Sequence, residues 1–203
     1  MCQAFSCIVL EAGDIYWQAG LDSHEDIIDK FKLNKYDKIE DGLCRIEITP
    51  ENDDYLSPNG KWKFNFDTPK PKWWNNKYRE LCYKELEKWK DKVYSSFKLE
   101  EAKNPINPFE IEPPKITKKH IKLLREWDSA WDSARNSVWD SVWAYIGSLF
   151  PNIKKWKYTE NIKVKGYPFQ SAVDLWKMGL VPSYDGKVWR LHSKNGIEWE
   201  GKL

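Results

Sequence analysis

Three histidines, two methionines and four cysteines are all that occur in 203 residues, and each scarcity removes a class of chemistry. His24, His120 and His192 lie far apart, and Cys2, Cys7, Cys44 and Cys82 form no CxxC pair. Neither a structural nor a catalytic zinc site has its usual ligand spacing, so no metal and no cofactor is expected. The chain also lacks an excess of charge, because 33 Lys and Arg face 31 Asp and Glu for a net of +2. That balance argues against a general nucleic-acid scavenger, although a local basic patch fits inside a neutral total. No apolar run approaches the roughly 20 residues of a membrane span. The start "MCQAFSCIVLEAG" has no basic stretch before its short apolar run and does not read as a secretion signal. A cytoplasmic protein with reduced cysteines and no membrane contact is expected. Gly-rich phosphate loops, HExxH, GxSxG and EF-hand patterns are absent.

Tryptophan is abundant instead: 13 residues, within an aromatic content of 15%. Side chains this large are costly to leave in water, so many must be core and the remainder are interface candidates. Residues 4 to 10 and 15 to 19 are apolar, strand-like and joined by "EAGD", which predicts a hairpin turning at Gly13. Ser23, with Asp26 three residues on, predicts the start of a short helix. "LCRIEI" and "KWKFNF" alternate as half-buried antiparallel strands. Tyr78, Cys82, Leu86, Trp89, Val93 and Phe97 then mark one face of a helix from about 76 to 98. Four prolines between 104 and 115 predict an extended linker. Beyond it we expect a long helix from Thr117 to Phe150, a basic strand, a short helix capped by Gly179, and strands around Asp185-Gly186 and Asn195-Gly196.

The long helix carries "WDSAWDSARNSVWDSVWAYI", a four-residue unit repeated from 127 to 146. Four helical residues advance about 400°, so each column of the repeat drifts about 40° per unit and the Trp ladder spirals slowly. A core stripe through Leu124, Trp127, Trp131, Val138, Val142, Tyr145 and Leu149 fits the helical period, with Trp139 and Trp143 widening it. The Asp, Asn and Ser positions, from Asp128 to Ser141, take the opposite face. Arg135 can stack on Trp131 or Trp139 one turn away. Apolar stripes at helical spacing are usually core, which is one reading of the whole ladder; the other, prompted by a face broader than one packing neighbour needs, leaves part of it for a groove, a ligand or a second copy of the chain.

Three chemical readings compete. The first is a non-catalytic binder using Trp127, Trp131, Arg135, Trp139, Trp143, Trp189, Arg190 and His192, where Arg190 and His192 share a strand face that could take an anion, although an ordinary solvated strand face gives the same pattern. The second draws on Lys154, Lys155, Trp156 and Lys157, since lysines beside aromatics contact phosphates and stack bases; a solvated edge strand gives the same pattern. The third is an N-terminal nucleophile at Cys2, exposed if Met1 is removed, although no oxyanion or partner motif follows it.

The tetrads and the ending "YPFQSAVDLWKMGLVPSYDGKVWRLHS" resemble uncharacterised proteins of phages and gut-associated mobile elements, and the opening, with "RIEITP" and "WKFNFD", is similar to N-terminal regions of that group. No activity attaches to the resemblance. It implies a small accessory protein in a host cytoplasm that blocks or sequesters a host protein or a nucleotide-like signal of host defence. The expected molecule is therefore α+β: an N-terminal antiparallel sheet with packed helices over 1–103, a linker at 104–115, and a Trp-rich helix with a small C-terminal β-rich unit over 116–203.

Overall fold

The computed structural model describes residues 4–131, 139–153 and 166–203, and for Trp131, Trp139 and Asp140 the backbone alone. The fold class is α+β as expected, with, among the described residues, an N-terminal four-stranded antiparallel sheet, seven helices and a C-terminal three-stranded sheet. The chain divides into two compact units, Met1–Ser95 and Ser96–Leu203.

In the first unit β1 (Phe5–Val9), β2 (Ile15–Tyr16), β3 (Cys44–Pro50) and β4 (Trp62–Phe66) form a sheet in the order β2-β1-β3-β4. The hairpin turns at Gly13, whose φ of 95° lies where only glycine is unstrained. Helix α1 (His24–Phe31) begins at Ser23, whose hydroxyl accepts the Asp26 N–H at 3.2 Å. It covers one face of the sheet with Ile27 and Ile28 against Ile8 and Leu10. The four-residue α2 (Asn34–Asp37) follows. Helix α3 (Asn76–Tyr94) covers the opposite face with Cys82, Leu86 and Trp89. Packing on both faces explains why β1 is buried throughout, whereas β3 alternates. Helix α3 stops at Tyr94, short of the expected 98; Phe97 already belongs to the second unit, where its ring lies 5.7 Å from that of Phe150.

The second unit opens with α4 (Leu99–Lys103), which the sequence did not announce. The proline-rich stretch that follows, expected as an extended linker, is packed. Pro108 is buried in a 3-10 turn, the Tyr145 hydroxyl accepts the Ile106 N–H at 2.9 Å, and Trp176 Nε1 donates to Ile106 O at 2.8 Å. Prolines exclude helix and sheet partners, so its backbone groups are satisfied by side chains.

Helices α5 (Lys118–Trp131), α6 (Trp139–Ser148) and α7 (Gln170–Lys177) then pack together, with α5 and α6 both against α7. Leu124, Trp127 and Ala144 share one cluster with Ala172 and Leu175. Of the long helix expected from Thr117 to Phe150, the described residues form α5 and α6; residues 132–138 between them lie outside the described residues. Helix α7 ends in paired bonds, Leu180 N–H to Leu175 O and Gly179 N–H to Trp176 O, with Gly179 left-handed at φ 76°. The strands β5 (Val181–Tyr184), β6 (Trp189–Ser193) and β7 (Gly196–Gly201) complete an antiparallel meander whose Trp189 and Leu191 join the helical core.

Candidate functional site

Helix α6 sits in its unit by an unusual division of faces. Ser141, Ala144 and Tyr145 are buried toward the interior, and the Tyr145 ring stacks on Trp176 with centroids 5.5 Å apart and planes within 12°. Ser141 was expected among the solvated Ser and Asp positions, but it is 2% exposed. A small side chain there, with Ala144 three residues on, fits a close helix approach. The outer face carries Trp143, 65% exposed, and Ile146, 37% exposed, one turn apart. Asp140 is the only charged residue in the ten of α6, in a chain where charged residues make up 32%. Water thus meets an apolar ridge with almost no charge to solvate it.

Other members of the ladder are placed differently. Trp127 is 4% exposed and makes an edge-to-face contact with Phe169, 5.9 Å between centroids. The side chains of Trp131 and Trp139, and all of Arg135, lie outside what is described. Trp189 is buried at 4% and stacks on Tyr184. Arg190 does share a face with His192 on β6, but its guanidinium is held by Asp185 at 2.7 Å and by Glu200. Those two carboxylates raise its pKa and compensate its charge. The Asp185 carboxyl is drawn down to about 2 by the Val188 N–H, the Arg190 guanidinium and the Lys187 N–H. His192 Nε2 lies 2.7 Å from Ser183 Oγ, and burial followed by the nearby Arg190 lowers the imidazole pKa, so the neutral ring is favoured. A serine beside a neutral imidazole is the first element of a nucleophile, but among the described residues no carboxylate orients Nδ1. The pair ties β5 to β6.

No known protein family, curated protein or solved structure matches this chain. Its own geometry must therefore carry the functional argument.

That geometry offers little for an anion or a metal. Cys7, Cys44 and Cys82 are free thiols buried in the first core. Burial pushes Cys7 up well beyond the usual range and Cys44 up to about 12, which keeps both protonated and unreactive. Among the described residues no group of histidine, cysteine or carboxylate side chains could hold a metal ion. A concavity of about 420 Å³ in the first unit includes Arg45, but Asp37 at 3.1 Å and Glu25 at 3.6 Å already engage that guanidinium, and Glu40 and Asp41 line the same wall. Cys2, Lys154, Lys155, Trp156 and Lys157 lie outside the described residues. Ile146 was not singled out in the sequence; the signal that would have found it is the run of ten helical residues with one charge, which matters more than the Trp spacing.

Proposed function

We propose that the chain is a non-catalytic binding protein that takes a partner protein against the outer face of α6. The observation that carries this reading is Trp143: among the tryptophans whose side chains are described, it is exposed while the others are buried or half-buried. Aromatic anchors of this kind dominate binding energy when a partner desolvates them. A protein fits better than a nucleotide-like anion, because Arg190 is compensated by two carboxylates and α6 offers no cation. The partner surface should be apolar and uncharged where it receives Trp143 and Ile146. Given the resemblance to phage-borne proteins, that partner would be a host protein.

A photo-crosslinking amino acid placed at position 143 in living cells tests the reading, with the exposed Lys187 position as control. One protein should crosslink from 143 and not from 187, and in purified form it should bind Trp143→Ala at least tenfold more weakly than the wild type. Folding should be unchanged within about 0.5 kcal/mol, since an exposed side chain is removed. Equal crosslinking from both positions, or equal affinity of the Ala variant, sinks the proposal.

A further inference from the structure

The second surface of interest is the outer edge of β4, in the first unit. The β3 to β4 register pairs Ile46 with Phe66, Ile48 with Phe64 and Pro50 with Trp62. One step beyond each end, the Asp67 N–H donates to Arg45 O at 3.0 Å and the Glu51 N–H donates to Lys61 O at 2.9 Å. Antiparallel ladders alternate, so residues 61, 63, 65 and 67 turn their backbone groups toward β3. Trp62, Phe64 and Phe66 turn theirs away from the sheet. The Trp62 carbonyl accepts the Tyr83 hydroxyl at 3.5 Å, while for Phe64 and Phe66 no backbone partner is found among the described residues. Phe66 is 39% exposed, Phe64 is half-buried, and Lys61 and Lys63 are exposed.

We infer that β4 is a docking edge for a second copy of this chain, paired antiparallel about a two-fold axis through Phe64. Charge along the strand selects this occupant and this register. With the axis at Phe64, Trp62 meets Phe66 of the second copy, Lys63 meets Asn65, and Lys61 meets Asp67, so all five residues of β4 are paired and each end closes on opposite charges. Those charged residues fall at positions where facing side chains approach most closely. Lys61 and Lys63 have no ion-pair partner among the described residues of their own chain. The Asp67 side chain is 54% exposed, with one oxygen 3.0 Å from His24 Nδ1 and the other left for Lys61. An axis at Lys63 would set lysine directly against lysine, and an axis at Asn65 would carry Trp62 past the end of the strand. Lysines on an edge ordinarily deter pairing. Here they deter the wrong registers and admit one, joining two four-stranded sheets into a sheet of eight.

Sedimentation equilibrium of the full chain over a wide concentration range tests the inference. The expected species has twice the 24.2 kDa chain mass. Lys61→Asp, which sets two aspartates against each other at both ends, should raise the dimer dissociation constant about tenfold, and Lys61→Asp with Asp67→Lys should restore it. Because Asp67 also meets His24, a second variant guards against misfolding: Lys63→Cys with Asn65→Cys should give a covalent dimer on mild oxidation, since facing residues there stand within disulfide reach, and either cysteine alone should not. A chain that stays monomeric, a dimer indifferent to Lys61→Asp, or a double-cysteine variant without covalent dimer overturns the inference. A dimer dissolved by Trp143→Glu but not by Lys61→Asp would move self-association to α6 and overturn it as well.

Discussion

Asp185 closes the turn between β5 and β6 with its own carboxylate, accepting the Lys187 and Val188 N–H groups at 2.9 Å each while it holds Arg190. All of these contacts favour the ionised form, so the carboxyl titrates near 2 in the fold against its ordinary 3.8. A depressed carboxyl stabilises the fold fully above its unfolded value and loses that contribution as pH falls toward its folded one. The wild type should therefore be more stable than Asp185→Asn by a constant margin above about pH 4, and the margin should shrink between pH 4 and 2. Urea midpoints of both proteins across that range check this, and a margin that does not change with pH would contradict it. Lys32 makes a second residue-scale point. It ends α1 in the left-handed region at φ 57°, with Leu33 N–H bonded to Ile28 O, a place where glycine is usual. Lysine there costs about 1 kcal/mol, and none of its neighbours in the sequence betrays it.

Among the elements, those with a clean period were legible from sequence alone. The alternation in "KWKFNF" and the 3.6-residue spacing from Tyr78 to Val93 gave a strand and a helix where expected, α3 burying Cys82, Leu86 and Trp89, whereas in β4 Trp62 is buried, Phe64 half-buried and Phe66 exposed at the edge. Ser23 and Gly179 announced their helix ends through local chemistry that needs no tertiary context. What could not be read was tertiary. The spacing of the tetrads states which residues share a side, but not that α5 and α6 would both pack against α7. Likewise Trp143 and Trp127 occupy the same column of the repeat, yet one is outside and the other in the core. The proline-rich stretch misled most, since its composition says only that it cannot form helix or sheet, and its fixing groups come from Tyr145 and Trp176, far along the chain. Tyr145→Phe keeps the stacked ring and deletes the acceptor for the Ile106 N–H. Leaving that donor unsatisfied should cost about 1–3 kcal/mol in a urea melt, and a loss under about 0.5 kcal/mol would mean that this bond does not hold the stretch.

For the whole molecule, the division at Ser95 places a complete sheet, two covering helices and their core in the first unit, and, among the described residues, four helices, a meander and the proline-rich stretch in the second. Each has its own core and meets the minimum for independent folding. Expressed separately, 1–95 and 96–203 should both unfold cooperatively, whereas 116–203, cut where composition suggests a boundary, should not, because it lacks the residues that Tyr145 and Trp176 hold. Thermal melts followed by near-ultraviolet circular dichroism decide this, and a cooperative 116–203 would show that the stretch is dispensable. The binding face proposed on α6 and the pairing edge proposed on β4 belong to different units, so a substitution at either leaves the other in place. The anchoring of Ile106 also orders events during synthesis. A ribosome releases the first unit with everything it needs to fold, while residues 96–115 emerge next with no one to hold them, waiting through about forty further residues for Tyr145 and about seventy for Trp176. Nascent chains stalled in that interval would carry a finished first unit followed by a tether of prolines, a composition that resists premature strand pairing until its proper partners arrive.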